Sequence, residues 1–192
     1  MINDWGYETP DDLPPLLTAD GFNLHTRGMF SATDDEVAAA IDAVTAAARD
    51  WCGWHIGPPC ACKWTGDGAG RMVRLPAMHV RSIDRVEVLG RIIDESEYQW
   101  RGSGLVRFSF ALPDAWRSVR IEFTAGAEAL AASAVIAQIA SNALAASPGV
   151  ASESAGQVSI SYNRTGDGVS GGYTLLGRDR DLLSPWRLPR DL

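Results

Sequence analysis

The chain has 192 residues, which fits one domain with extensions and is cramped for two full domains. The hydrophobic fraction of 46% and the seven tryptophans provide enough apolar surface for a core, so the composition excludes general disorder. The net charge of −7 argues against tight binding of DNA or RNA, because affinity for phosphates requires a basic face.

The acidic residues are concentrated near the amino terminus. Residues 1–60 contain ten Asp and Glu against Arg27 and Arg49, whereas the other 132 residues contain 14 acidic and 15 basic residues. This polarity suggests that the chain meets different proteins at two surfaces. The first ten residues include Asp4 and Glu8 and no apolar run, so we expect no signal peptide and predict synthesis in the cytoplasm.

Residues 1–30 predict an extended N-terminal arm with a single helical turn, since three prolines interrupt regular structure there. A helix over about 34–52 follows, because Thr33 and Glu36 match a T-x-x-E capping box and Gly53 can cap the other end. Apolar residues at spacings of three and four predict one buried stripe with charged residues opposite. The stripe consists of Val37, Ile41, Val44, Ala48 and Trp51, and the opposite face carries Asp35, Asp42 and Arg49.

Short apolar segments between turn residues predict a small antiparallel β region. The clearest strand contains Val119, Ile121 and Phe123, which alternate with charged residues and are expected to be half-buried. The other predicted elements are a hairpin of 61–65 with 71–75 around the glycine-rich segment 66–70, a strand over 80–88 with a bulge near Ile83, a second hairpin of 98–100 with 105–110, and a strand within 155–163.

A second helix, over about 128–146, is rich in Ala and apolar on nearly every side. We expect more than one face of it to be covered, and a neighbouring subunit could supply one of the covering surfaces. The uncharged stretch 129–152 includes several polar residues, so we predict a buried helix and no membrane span. A glycine-rich connector over 166–172 and a tail with a short helix at 175–183 follow. These elements together predict an α+β fold, in which the helical part lies beside a small antiparallel β region with extended terminal segments.

Several short motifs occur in a distinctive order. They are Trp51-Cys52-Gly53-Trp54-His55 after the first helix, Leu75-Pro76, Asp94-Glu95-Ser96-Glu97-Tyr98 before a hairpin, Phe123-Thr124-Ala125-Gly126 before the Ala-rich helix, Glu153-Ser154 with Gln157-Val158-Ser159, and Leu182-Leu183 with Trp186-Arg187-Leu188-Pro189. Over about residues 13–190 this order resembles the head–tail connector proteins of long-tailed bacteriophages, the adaptor or head-completion family.

The resemblance implies a non-enzymatic virion protein without a cofactor. It would be one subunit of an adaptor ring, twelvefold in the virion, that lies in the neck at the head–tail junction after assembly in the host cytoplasm. The implied partners are the portal protein, further copies of the chain, and a stopper or tail-terminator protein, with no membrane contact. The genome would pass through the ring without specific binding, and an acidic, lysine-poor chain agrees with this because adhesive basic contacts would slow the DNA.

We accordingly divide the chain into an arm (1–30), an adaptor core domain (31–163) and a flexible connector with a C-terminal tail (164–192). Trp186, Arg187 and Leu188 are candidate portal or subunit contacts, since Trp and Arg dominate interface hot spots. A tail that folds back on its own domain is the alternative. Val135 and Ile139 of the Ala-rich helix are the other interface candidates.

A possible metal site lies between the first helix and the β region. Cys52, His55, Cys60 and Cys62 are four potential zinc ligands within eleven residues. However, their spacings match no common zinc module, and a buried free cysteine behaves as a small hydrophobe. We therefore predict no metal, and keep a zinc-stabilised protein-binding module as the alternative function.

Two motifs superficially resemble catalytic loops. Residues 168–172 match the nucleophile elbow G-x-S-x-G with Ser170 as its serine, but the required later histidine is missing, since the last one is His79. The segment 66–70 lacks the G-K-[ST] ending of a phosphate loop and lies between two predicted strands. We therefore predict no catalytic residues.

Overall fold

The computed structural model divides into two compact units. The sheet unit comprises Met1–Pro14, Gly53–Glu128 and Trp186–Leu192, and the helical unit comprises Pro15–Cys52 and Ala129–Pro185. The structure describes residues 5–145, 152–155, 158–161, 164–165, 169–170 and 175–189. It has helices and antiparallel sheets, so the predicted α+β class is confirmed. The division into arm, core domain and tail stays a prediction.

Among its described residues, the sheet unit contains eight strands in two antiparallel sheets. The strands are β1 (Tyr7–Glu8), β2 (Cys60–Gly68), β3 (Met72–Arg74), β4 (Val80–Val88), β5 (Arg91–Ile92), β6 (Tyr98–Trp100), β7 (Leu105–Phe108) and β8 (Ala115–Ala125). A five-stranded sheet has the order β1-β2-β8-β4-β5, and a three-stranded sheet has the order β3-β7-β6. A 3-10 helix, Glu95–Glu97, immediately precedes β6.

The core of this unit is centred on β8, which pairs with both β2 and β4. Val119, Ile121 and Phe123 are each 0% exposed, which confirms the strand predicted from their alternation. The register of β4 against β8 shifts between Ile83 and Arg85, so the predicted bulge is also confirmed. Pairing of β6 with β7 confirms the second predicted hairpin.

The first predicted hairpin is wrong. β2 continues through Gly66 and Gly68 and pairs with β8, whereas β3 pairs with β7 in the other sheet. A Cβ at Gly66 would lie 2.0 Å from the Trp64 ring, so glycine is needed here because an aromatic side chain lies against the strand. The turn falls later, at Gly70, where φ is +62°. Gly66 is therefore required by side-chain packing and Gly70 by a turn, so only part of the glycine-rich segment 66–70 is a turn.

The helical unit contains four helices and four short strands among its described residues. The helices are α1 (Ala19–His25), α2 (Asp35–Cys52), α3 (Ala129–Ala145) and α4 (Gly177–Leu183). Two antiparallel strand pairs, β9 (Ser152–Ala155) with β10 (Val158–Ser161) and β11 (Arg164–Thr165) with β12 (Val169–Ser170), lie between α3 and α4 in the chain. The predicted helices 34–52 and 128–146, the strand within 155–163 and the helical tail are thus confirmed.

Three details of α2 differ from the prediction. The carboxylate of Asp34 accepts a hydrogen bond from the backbone N–H of Glu36 at 3.3 Å, whereas the Thr33 hydroxyl contacts Ser31, so the cap is Asp34 and not Thr33. Arg49, expected on the exposed face, is 7% exposed. Gly53 has φ +80°, as predicted for the residue that ends the helix. Val37, Ile41, Val44 and Ala48 are buried as predicted, whereas Trp51 is half-buried and Cys52 is buried in its place.

Within the described residues, none of the helices combines the length and apolar character that crossing a membrane requires.

Candidate functional site: a histidine–cysteine cluster and exposed surfaces

His55 is held in the centre of the sheet unit by hydrogen bonds at both ring nitrogens. Its Nε2 lies 3.0 Å from the carbonyl oxygen of Ala125, and its Nδ1 lies 2.6 Å from the Tyr7 hydroxyl. Because a carbonyl can only accept, the hydrogen belongs on Nε2, and Nδ1 then accepts from Tyr7. The Tyr7 oxygen in turn accepts from the backbone N–H of His55 at 3.1 Å. Both residues are 0% exposed, so this network ties β1 to the end of β8.

Two cysteines lie beside this histidine. Cys60 and Cys62 share one face of β2, and their sulfur atoms are 3.8 Å apart. The hydrogen bond with Cys60 and the burial of Cys62 raise the pKa of the Cys62 thiol well above its ordinary value. One ligand atom each from His55, Cys60 and Cys62 lies within 4.8 Å of the others. The structure thus brings three of the four predicted zinc ligands together.

The fourth predicted ligand, Cys52, is not a member of that group. It ends α2 in the helical unit, where its thiol contacts the carbonyl oxygen of Leu183 at 3.8 Å. Cys52 is 1% exposed and packs as a small buried side chain. The sequence pattern C-x2-H-x4-C-x-C therefore overstated the site by one ligand.

The predicted tail contacts fold back on the sheet unit. The indole N–H of Trp54 donates to the carbonyl oxygen of Trp186 at 2.6 Å. The rings of Trp54 and His79 are stacked with centroids 6.1 Å apart, and the Trp186 ring lies 5.6 Å from His79. Trp186, Arg187 and Leu188 are all half-buried. The intramolecular alternative for the tail is therefore what the structure contains, and a second contact with a partner stays a prediction.

The two predicted interface residues of α3 differ in burial. Ile139 is 6% exposed, because α3 packs against α1, α2 and α4 inside the helical unit. Val135 is half-buried. Their assignment to a subunit interface stays a prediction, with Val135 the more accessible of the two. Of the nucleophile-elbow pattern, Val169 and Ser170 form β12, and its glycines lie outside the described residues.

An exposed apolar tip was missed by the sequence analysis. Trp116 is 89% exposed, Leu89 69% and Ile92 59%. They lie at one end of the five-stranded sheet, since the N–H of Leu89 donates to the carbonyl of Ser118 and β5 pairs with β4. Alternation does not reveal the exposure of Trp116, because the register of β2 against β8 shifts between Gly66 and Gly68 and the odd–even pattern of β8 breaks at Arg117, whose φ is +50°. Exposed tryptophan is typical of protein-binding surfaces.

The fold is similar to chains in solved structures of gene transfer agent (GTA) particles. One is the neck of an empty GTA particle computed with C6 symmetry, with a TM-score of 0.57, 16% identity and 97% of both chains covered. Another is the neck of the native GTA particle computed with C12 symmetry, with a TM-score of 0.51, 13% identity and the same coverage. No family model and no curated protein matches the sequence. At these identities the likeness demonstrates a shared fold.

Proposed function

We propose that the chain is a structural subunit of the neck of a phage-like particle, where it forms an adaptor ring beneath the portal. The observation that carries the proposal is the fold similarity to chains of two GTA necks, which extends over 97% of both proteins. Coverage of this extent includes both the sheet unit and the helical unit. A likeness confined to one unit would leave about half of this chain unmatched.

Symmetry supports a ring of many copies. The similar chains come from necks computed with C6 and C12 symmetry, and twelve copies would match the number predicted from the phage resemblance. In this arrangement the portal lies on one side of the ring, and a stopper or tail-terminator protein on the other. The genome passes through the central channel, and the net charge of −7 favours passage without adhesion.

A structural role also agrees with the surroundings of the buried histidine. Catalytic histidines need a ring nitrogen that can reach a substrate. In His55 both nitrogens are hydrogen-bonded within the fold, to Tyr7 and to Ala125. We assign this network to attachment of the amino-terminal strand.

The exposed tip of Leu89, Ile92 and Trp116 is the proposed contact with the portal or stopper, together with Trp186, Arg187 and Leu188. The test is the light-scattering mass of the purified chain, alone and mixed with portal rings from the same particle. We expect a complex with near-equal numbers of the two subunits, even where the free chain is monomeric, because a ring template adds many weak contacts. A chain that neither oligomerises nor joins the portal at any concentration contradicts the proposal.

The second candidate function is a zinc-stabilised protein-binding module, favoured by the thiols of Cys60 and Cys62 beside His55. Zinc binding would require a ring nitrogen of His55 to exchange its hydrogen bond with Tyr7 or Ala125 for the metal. Two thiolates on a tetrahedral zinc, each about 2.3 Å from the metal, are about 3.8 Å apart, and the two sulfurs have that separation here. The test is titration with Co²⁺, whose thiolate absorption bands report cysteine ligation. Bands lost in Cys60→Ser and Cys62→Ser but kept in Cys52→Ser support the module. A titration without bands removes it.

A further inference from the structure

One face of the three-stranded sheet carries arginines. Met72 pairs with Arg107, and Arg107 pairs with Gln99, so these side chains lie on the same face. Arg74, paired with Leu105, follows Met72 by two residues and shares that face. Arg71 lines one shallow cleft together with Gln99 and Arg107. We call Arg71, Met72, Arg74 and Arg107 the arginine face.

The charges of the arginine face are not neutralised within the described part of the chain. No carboxylate oxygen there lies within 4.0 Å of a side-chain nitrogen of Arg71, Arg74 or Arg107. Glu97 lines the same cleft, but it forms an ion pair with Arg91 at 3.1 Å. The Nε of Arg74 is buried and has no hydrogen-bond partner among the described residues. Because that atom is buried, a second chain cannot reach it, and the accessible charges of the face are those of Arg71 and Arg107, which are exposed.

The exposed side of α2 has the opposite character. Asp35, Ala39, Asp42, Ala46 and Asp50 are all exposed and follow one another at spacings of three or four, so they form one stripe. We call these five residues the acidic face. It contains no basic residue, and its aspartates are about 10–12 Å apart along the helix axis. Asp50 lies in the last turn, where the helix dipole disfavours a negative charge, so the fold of α2 does not explain its presence.

We propose that the arginine face of one copy binds the acidic face of the next copy, and that this contact closes the ring. The inference rests on the proposed function, because a cyclic ring of more than two subunits needs two different, mutually complementary surfaces on each copy. Guanidinium groups bind carboxylates with two parallel hydrogen bonds. Ala39 and Ala46 leave room for long side chains between the aspartates. The side chain of Met72, which is 55% exposed, covers the apolar surface of these two alanines in the neighbouring copy.

The test uses two charge reversals, Asp42→Arg on the acidic face and Arg107→Asp on the arginine face. Each variant alone places like charges against each other and should weaken self-association at least about tenfold, as measured by sedimentation velocity. An equimolar mixture should recover assembly, because alternating copies then place opposite charges at every contact. Matched controls are Asp20→Arg on α1 and Arg120→Asp on β8, both exposed and outside the two faces.

The outcomes separate the two proposals. Loss of assembly in each single variant, with recovery in the mixture and normal assembly of the controls, supports this contact. Assembly of both variants at wild-type strength overturns the proposed contact. If the variants also bind portal rings as the wild type does, the proposed neck function is unaffected. Failure of the mixture to assemble also overturns the proposed contact, because the two faces would not then meet. A wild-type chain that self-associates under no condition, with or without portal rings, contradicts both proposals.

Discussion

Replacement of Tyr7 by Phe tests whether the buried histidine network attaches the amino-terminal strand to the sheet unit. The phenyl ring keeps the apolar packing of Tyr7, which is 0% exposed, and only the hydroxyl is lost. That hydroxyl donates to Nδ1 of His55 at 2.6 Å and accepts from the His55 backbone N–H at 3.1 Å. In Tyr7→Phe, the Nδ1 atom and the backbone N–H of the fully buried His55 therefore lose their hydrogen-bond partner.

The expected cost follows from the two lost hydrogen bonds. Removing the partner of a buried polar group costs about 1–3 kcal/mol, so we expect unfolding to become easier by about 2–4 kcal/mol. For a chain of this size the melting temperature should fall by on the order of 10 °C. Thermal and urea unfolding, followed by tryptophan fluorescence and circular dichroism, measure the change.

The matched control is Tyr98→Phe. Tyr98 is 8% exposed, and its hydroxyl forms no hydrogen bond among the described residues, so we expect a loss below about 0.5 kcal/mol. Equal losses for the two variants would refute the reasoning, because His55 would then not depend on Tyr7. A loss confined to Tyr7→Phe confirms that the network holds β1.

Three further predictions concern exposed or reactive groups. Hydrogen bonds from Ser96 lower the pKa of Asp94, so Ser96→Ala should raise that pKa towards its ordinary value in an NMR titration. The stabilisation from ionised Asp94 is present above the usual aspartate pKa and is lost as the pH falls through the lowered pKa of Asp94. Alkylation followed by mass spectrometry should modify half-buried Cys60 before Cys62, whose thiol is 1% exposed and has a raised pKa, and the reverse order would contradict the described burial. Trp116→Ser should leave the melting temperature within about 1–2 °C of wild type but weaken binding to portal rings, and unchanged binding would remove the tip from the contact.

The sequence predicted the elements whose signals are local. α2 could be found because its apolar spacing and its acidic first turn lie within 18 residues. β8 could be found because Val119, Ile121 and Phe123 alternate without interruption before Thr124. The cap was misplaced by one residue, since Thr33 and Asp34 are both good caps and only the chain path decides between them.

Features that depend on distant pairing could not be predicted. Tyr7 and His55 are 48 residues apart, and nothing near Tyr7 indicates that β1 joins the sheet. β2 pairs with β8 in place of β3, although all the strands from β3 to β7 lie between them in the chain, and local periodicity does not reveal such a pairing. The ligand pattern included His55, Cys60 and Cys62, whose ligand atoms lie within 4.8 Å of one another, but Cys52 is not a member of that group, and spacing along the chain does not reveal this.

The most direct test of the proposed neck function is to locate the chain in assembled particles. Particles would be purified from cells that produce the chain with an affinity tag, and the tag would be labelled with gold for electron microscopy. The account predicts one cluster of label at the head–tail junction of each particle and none elsewhere. Label at the tail tip or on the capsid surface, or particles that contain no chain at all, would contradict it.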